Sequence, residues 1–208
     1  GQQVTIGYTE GETVDQIVRR VRGTRANGFK DGVLSLQRKK AEAIVRTAVQ
    51  HTATQARELT YERNSDVVKG VQWVSTLDTR TTEICMSRDG RVYPAGEGPR
   101  PPAHVNCRSV TAPVLRSWQE LGIDRTEVDA QTRASMNGQV PAKTTYGEWL
   151  KRQPKGVQEE VLGVTKARLF RRGSLPIDRF VDARGKTLTL DQLRVRESDA
   201  WLRAGLGE

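Results

Sequence analysis

From Ser35 to Asn64 thirty consecutive residues carry neither glycine nor proline, the longest such run considered as a helix. It predicts one helix about 45 Å long. Leu36, Ile44, Ala48, Ala56 and Leu59 are expected on its inner side, with Arg38, Lys39, Lys40, Arg46 and Arg57 over the rest. His51 falls in the middle and reads as a surface or packing residue. In a chain of 208 residues, such a helix leaves room for one domain with an appendage or for two small domains.

Shorter elements surround it. "ETVDQIVRRVRG" reads as a helix opened by a Thr13–Gln16 capping box and stopped at Gly23, with Val14, Ile17, Val18 and Val21 as its apolar stripe. After Gly70 the period changes to alternation, so "VQWVSTL" predicts a strand with Trp73 on one face. "ICMSRDGRVYP" predicts a hairpin turned at Asp89-Gly90, and "CRSVTAPVL" a third strand. Residues 116–144 turn polar and read as a linker or arm with an Asn137-Gly138 turn. Helices resume at "TYGEWLKRQ", where Thr145 and Glu148 form another capping box. They continue through "GVQEEVLGVTKARLFRRG", with Val157, Val161, Val164 and Leu169 on one face, and "LPIDRFV" is a short helical turn or extended link. "KTLTLDQLRVRESDAWL" reads as a brief strand and a closing helix. The expected fold class is α+β: a helical part over 1–70, a small antiparallel sheet over 71–115, the arm over 116–144 and a helical extension over 145–208.

Composition bounds the partners. Lys and Arg number 34 against 25 Asp and Glu, a formal net charge of +9, which favours a polyanion such as DNA and equally suits a solubilising surface. No run of eighteen apolar residues occurs, so no membrane span is expected. The first residues show neither an initiator Met nor a signal pattern and read as an interior starting point. Two cysteines do not make a secreted disulfide scaffold, so a reducing cytosol is the simpler origin.

Both cysteines and one of the two histidines lie between Asp78 and Ser109, around a loop rich in Gly, Pro and Arg. In "HVNC" an imidazole and a thiol stand three residues apart, and Cys85 would face them from another strand. Cys85, His104 and Cys107 are therefore candidate zinc ligands, with Asp78 or a water as the fourth. A Cys85–Cys107 disulfide and two packed thiols remain alternatives. So does a cysteine nucleophile with His104 as base and Asn106 or Asp78 orienting the ring, or a nuclease-like His-Asn hairpin. Arg80 and Arg108 flank the stretch, either as phosphate contacts or, for Arg108, as an ion-pair partner of Asp78.

"VQWVSTLDTRTTEIC", "DGRVYPAG" and "PPAHVNCRSVTAPVL" together resemble the signature of phage Mu F-like minor head proteins, a head-morphogenesis family of tailed phages. Asp78, Arg80, Thr81, Cys85, Gly90, Pro102, His104, Asn106, Cys107 and Arg108 carry the likeness. The preceding "AEAIVRTAVQHTATQARELTYE" resembles the family's helical lead-in, so the resemblance covers roughly Thr13 to Leu115. The "YGEWLKRQP…VLG" run resembles extensions found on some members. Many members have cysteine where this chain has Thr82, which would complete a four-ligand knot. The resemblance implies a low-copy virion protein at the capsid interior or portal vertex, made in the host cytoplasm, with portal or capsid proteins and DNA as partners and no turnover of substrate. On that reading Arg38, Lys39, Lys40 and Arg46 are the expected DNA contacts. The competing classes are a nuclease or toxin-like enzyme using His104 with Cys85 and Cys107, and a zinc-stapled interaction module of a prophage.

Overall fold

The computed structural model describes residues 2–34, 38–127 and 131–207. Ser35, Leu36 and Gln37 of the expected long helix, and part of the expected arm, lie outside the described residues. The fold is α+β, and the chain forms two compact units, one of residues 1–71 with 93–115 and one of 72–92 with 116–208.

In the first unit α1 (Gln2–Thr9), α2 (Val14–Arg22) and α3 (Arg38–Arg63) pack around Val4, Ile17, Val18, Val21, Ala41 and Val45. The helix α2 starts where the sequence places it. Thr13 accepts from the Gln16 backbone while the Gln16 side chain accepts from the Thr13 N–H, and Gly23 ends the helix at φ 90°. Arg20 reaches back to Glu10 and Glu12, fastening α2 to the turn before it.

After α2 the loop is organised by Asp31, whose carboxylate accepts from Thr24 N (2.8 Å), Thr24 Oγ1 (2.7 Å) and Asn27 Nδ2 (2.9 Å). Led by the bond from the Thr24 hydroxyl, these donors hold the carboxyl at about 2, below its ordinary 3.8. Because the folded value is depressed, the loop's contribution is complete above pH 3.8 and is lost as pH falls through 2. An NMR titration of Asp31 should show a midpoint near 2; a midpoint at the ordinary value would mean the three donors do not hold it in solution.

The α3 helix is 26 residues long, about 39 Å. Its inner side differs from the expected one. Ile44 and Leu59 are 44% and 53% exposed, whereas Ala41, Val45, Thr54 and Glu58 are buried. Only the first half of α3 meets an apolar core; the second half turns polar side chains inward, which a search for apolar periodicity passes over.

Strands β1 (Val68–Val74), β2 (Val92–Tyr93) and β3 (Val110–Leu115) form a sheet in the order β2-β1-β3. The expected hairpin around Asp89-Gly90 is corrected: Glu83–Arg88 forms a helix, α4, and only the arm after the turn is a strand. Trp73 N donates to Arg91 O and Gly90 N to Trp73 O, each at 2.9 Å, so on this side β1 meets the residues that follow Asp89. The aspartate itself is buried and is used elsewhere.

In the second unit the expected arm contains an antiparallel hairpin. β4 (Thr132–Ser135) pairs with β5 (Gly138–Pro141), Ser135 opposite Gly138, around the Asn137-Gly138 turn. The helices α5 (Tyr146–Lys151), α6 (Lys155–Leu162), α7 (Val164–Arg171), α8 (Leu190–Arg196) and α9 (Ser198–Arg203) follow. They bury Tyr146, Trp149, Leu150, Leu169, Phe180 and Leu193 together with Leu77 and Met86. Tyr146 and Trp149 meet edge to face at 5.1 Å, a favoured aromatic geometry.

The expected stripe through Val164 is interrupted. Gly163 at φ 74° separates α6 from α7 and leaves Val164 67% exposed, with Leu162 and Ala167 inside instead. The single closing helix expected at the end is likewise two, α8 and α9, divided at Glu197. At the start of α5 the Thr145–Glu148 capping box is present. Thr145→Ala should destabilise this unit by about 1 kcal/mol, measurable as a lowered unfolding midpoint in urea; an unchanged midpoint would deny the cap its role.

Candidate metal centre and the turns that build it

A polar stripe on α3 holds the histidine turn. Thr47, Gln50, Thr54, Glu58 and Tyr61 follow one another at intervals of three or four, which puts them on one helix face. Thr47 Oγ1 accepts from Asn106 N (3.0 Å), Gln50 Nε2 donates to Ser109 O (2.5 Å), and Tyr61 OH donates to Thr111 O (3.4 Å). Glu58 accepts from Thr111 Oγ1 (3.1 Å) and from Arg100 Nε (2.6 Å), with Arg100 only 15% and Glu58 11% exposed at their side chains. Arg100 also donates to Glu97 O, Pro94 O and Pro99 O. One guanidinium thus ties down a Pro- and Gly-rich loop that has little regular structure of its own.

Within that frame His104 to Cys107 form a tight turn closed by Cys107 N donating to His104 O at 3.2 Å. Asn106 sits at φ 58°, a left-handed conformation that asparagine tolerates better than most residues. His104 Nδ1 lies 2.8 Å from Val105 O. A carbonyl oxygen can only accept, so this contact is a hydrogen bond in the tautomer with the proton on Nδ1, which leaves Nε2 open to a metal. Backbone orientation of a ligand imidazole in this way is common at metal sites.

Cys85 comes from α4, and the residues before it explain where that helix begins. Asp78 Oδ1 accepts from Arg80 N (3.1 Å) and Thr81 Oγ1 (3.3 Å), and Thr81 Oγ1 also donates to Thr76 O (2.6 Å). Tyr146 OH donates to Asp78 O (2.6 Å). The Leu-Asp-Thr-Arg-Thr motif is therefore a hydrogen-bonded turn that launches α4. Ser75 Oγ donates to Cys85 O at 2.8 Å and accepts from Trp73 Nε1 at 2.9 Å.

The ligand atoms of Cys85, His104 and Cys107 lie within 4.8 Å of one another. The expected cluster is thus brought together, and Asp78 is not part of it. Cys85 and Cys107 are thiols, not a disulfide, and are 1% and 5% exposed. Two sulfurs and an imidazole are soft donors suited to zinc. Donors around a tetrahedral zinc stand about 3.5–3.8 Å apart.

Among the remaining motif residues Gly90 has a steric role. Gly90, at φ 81°, has Thr145 Cγ2 2.9 Å from where a Cβ would stand. Arg80 and Arg108 are exposed, as are Arg38, Lys39, Lys40 and Arg46 on α3. Arg38 is engaged by Glu42 (2.8 Å) and Asp15 (4.0 Å).

Two centres were not anticipated from the sequence. Asp89, with a fully buried side chain, accepts from Ser75 N (2.6 Å), Tyr146 N (2.7 Å) and both terminal nitrogens of Arg133 (3.1 and 3.2 Å). Arg133 also donates to Thr144 O at 3.0 Å and to Ser75 O. Lys166 Nζ donates to both oxygens of Glu83 (2.7 and 2.9 Å), linking α7 to α4. These partners lie 44 and 83 positions apart in the chain, and no local pattern announces either pair.

A family model described as "Phage Mu protein F like protein" matches residues 1–112. No curated protein and no solved structure matches the chain. The match takes in α1 to α4 and the turn from His104 to Cys107, leaving most of the second unit's helices beyond it. With more than half of its 208 residues under that model, the chain belongs to the phage Mu protein F-like family.

Proposed function

We propose that this protein is a minor component of the phage head, seated at the portal vertex or the inner capsid surface, where it braces and binds. The observation that carries the reading is the family match through the cysteine–histidine motif. That family points to head morphogenesis, and such proteins are typically structural. No helix among the described residues is long and apolar enough to cross a membrane. Removing the gene from a producing phage should leave particles that fail to mature or to deliver DNA. Normal yields of infectious particles would contradict the proposal.

Contact with packaged DNA is part of the proposal. The support is the net charge of +9 and the exposed start of α3, with Arg38, Lys39, Lys40 and Arg46. Binding of that kind releases counterions and weakens steeply with salt. Affinity for a duplex should fall by about tenfold or more between 50 and 200 mM salt; an affinity indifferent to salt would remove DNA from the partners.

Cys85, His104 and Cys107 are proposed as a zinc clip. Their role would be to hold a turn rich in Gly and Pro in place, as metal binding contributes directly to folding in small sites. The burial of both thiols supports bracing over nucleophilic chemistry, which needs a reachable thiolate. Protein purified without chelator should carry about one zinc per chain, and Cys107→Ser should lose it. Plasmid nicking by the wild type that disappears with His104→Ala would reverse the assignment in favour of an enzyme.

A further inference from the structure

The loop after α2 encloses a second site. A cavity of about 520 Å³ opens where α2 ends and α3 begins, lined by Arg19, Arg22, Arg25, Arg38, Asp15 and Phe29 among others. Four guanidiniums line it against one carboxylate, Asp15, and Arg38 is further engaged by Glu42 at 2.8 Å. Basic residues in the last turn of a helix ordinarily offset its dipole, and Arg20 in that turn is already neutralised by Glu10 and Glu12. Arg19 and Arg25 have no carboxylate partner among the described residues. Their charge is available to an anion.

The cavity also has a flat wall. Arg22 lies 3.8 Å over the Phe29 ring, which stays 38% exposed. The backbone is built to put the ring there. Phe29 itself is held at φ 62°, a conformation that a bulky residue adopts only where its surroundings enforce it. A Cβ on Gly32 would lie 2.1 Å from the Arg22 carbonyl carbon, so the loop returns directly onto the end of α2. An exposed, enforced aromatic in one cavity with Arg19 and Arg25 is the composition of a nucleotide-stacking site. The volume lies in the range of about 300–1,000 Å³ usual for small-ligand pockets, and paired, stacked bases of a duplex would not enter it.

We propose that this cavity binds one nucleotide unit of a single-stranded nucleic acid, its base stacked against the Phe29–Arg22 pair and its phosphates met by Arg19 and Arg25. The inference deepens the DNA contact proposed above and rests on it for its biological setting. It differs in naming unpaired strand as the ligand and this cavity as the place.

The test is fluorescence anisotropy of the full chain with a labelled dT12 strand and, separately, with a labelled duplex. Wild type should bind the strand more tightly than the duplex. Phe29→Ala should weaken strand binding by about fivefold or more while leaving the duplex nearly unchanged, and Phe29→Tyr should keep it. Arg19→Ala with Arg25→Ala should lower strand affinity by about tenfold and flatten its salt dependence. Those two exposed side chains keep the test open if Phe29→Ala disturbs the loop, which a thermal melt would show. Strand binding unaffected by all of these variants would overturn the cavity while sparing DNA contact in general. Absence of binding to either nucleic acid at low salt would end both.

Discussion

Asp89→Ala is expected to destabilise the second unit by about 3–5 kcal/mol, because it leaves Arg133 buried and uncompensated. A domain's whole stability is about 5–15 kcal/mol, so the variant should unfold at markedly lower urea and express poorly. The carboxylate serves four donors, from Ser75, Tyr146 and the two guanidinium nitrogens of Arg133. Those donors bring the end of β1, the β4–β5 hairpin and the first turn of α5 to one point. Asp89→Asn keeps the shape but loses the charge and one acceptor, and should fall between wild type and alanine. Replacing both Asp89 and Arg133 by apolar residues of similar volume should recover part of the loss, since a buried ion pair is costly to desolvate as well as to break. If Asp89→Ala unfolds at the wild-type denaturant concentration, the buried latch is not what the geometry indicates.

The second large effect concerns Glu58. Glu58→Ala removes the acceptor of both Arg100 and Thr111, and should cost the first unit about 2–3 kcal/mol. Its further consequence is at the proposed zinc clip. Arg100 holds the loop that precedes His104, so releasing it should speed zinc loss to a chelator, even though residue 58 donates no ligand. Equal rates of zinc release from wild type and variant would show that the turn is held without Arg100.

The two cases show what was legible in the sequence and what was not. The capping boxes at Thr13 and Thr145 involve residues three apart, and both are found where local pattern puts them. Cys85, His104 and Cys107 could be grouped because such residues are rare in this chain and fall within one motif, and their ligand atoms do converge. Other features depend on distant partners. The buried face of α3 in its second half is Thr54 and Glu58, which look like surface residues until Thr111 and Arg100 are placed beside them. The Asp89-Gly90 pair reads locally as a hairpin turn, but a guanidinium from a polar stretch 44 residues later changes its use. Val164 followed the helical period correctly and was misplaced only because Gly163 divides the helix before it. A buried polar pair decides the first two cases and a helix break the third.

Mass spectrometry of purified, DNA-filled particles from a strain producing this phage tests the head-protein reading most directly. Peptides from this chain should be present at a few copies per particle and should persist through density-gradient banding. Abundant protein in the lysate with none in the banded particles would contradict a place in the phage head, whatever the cysteine–histidine turn is found to hold.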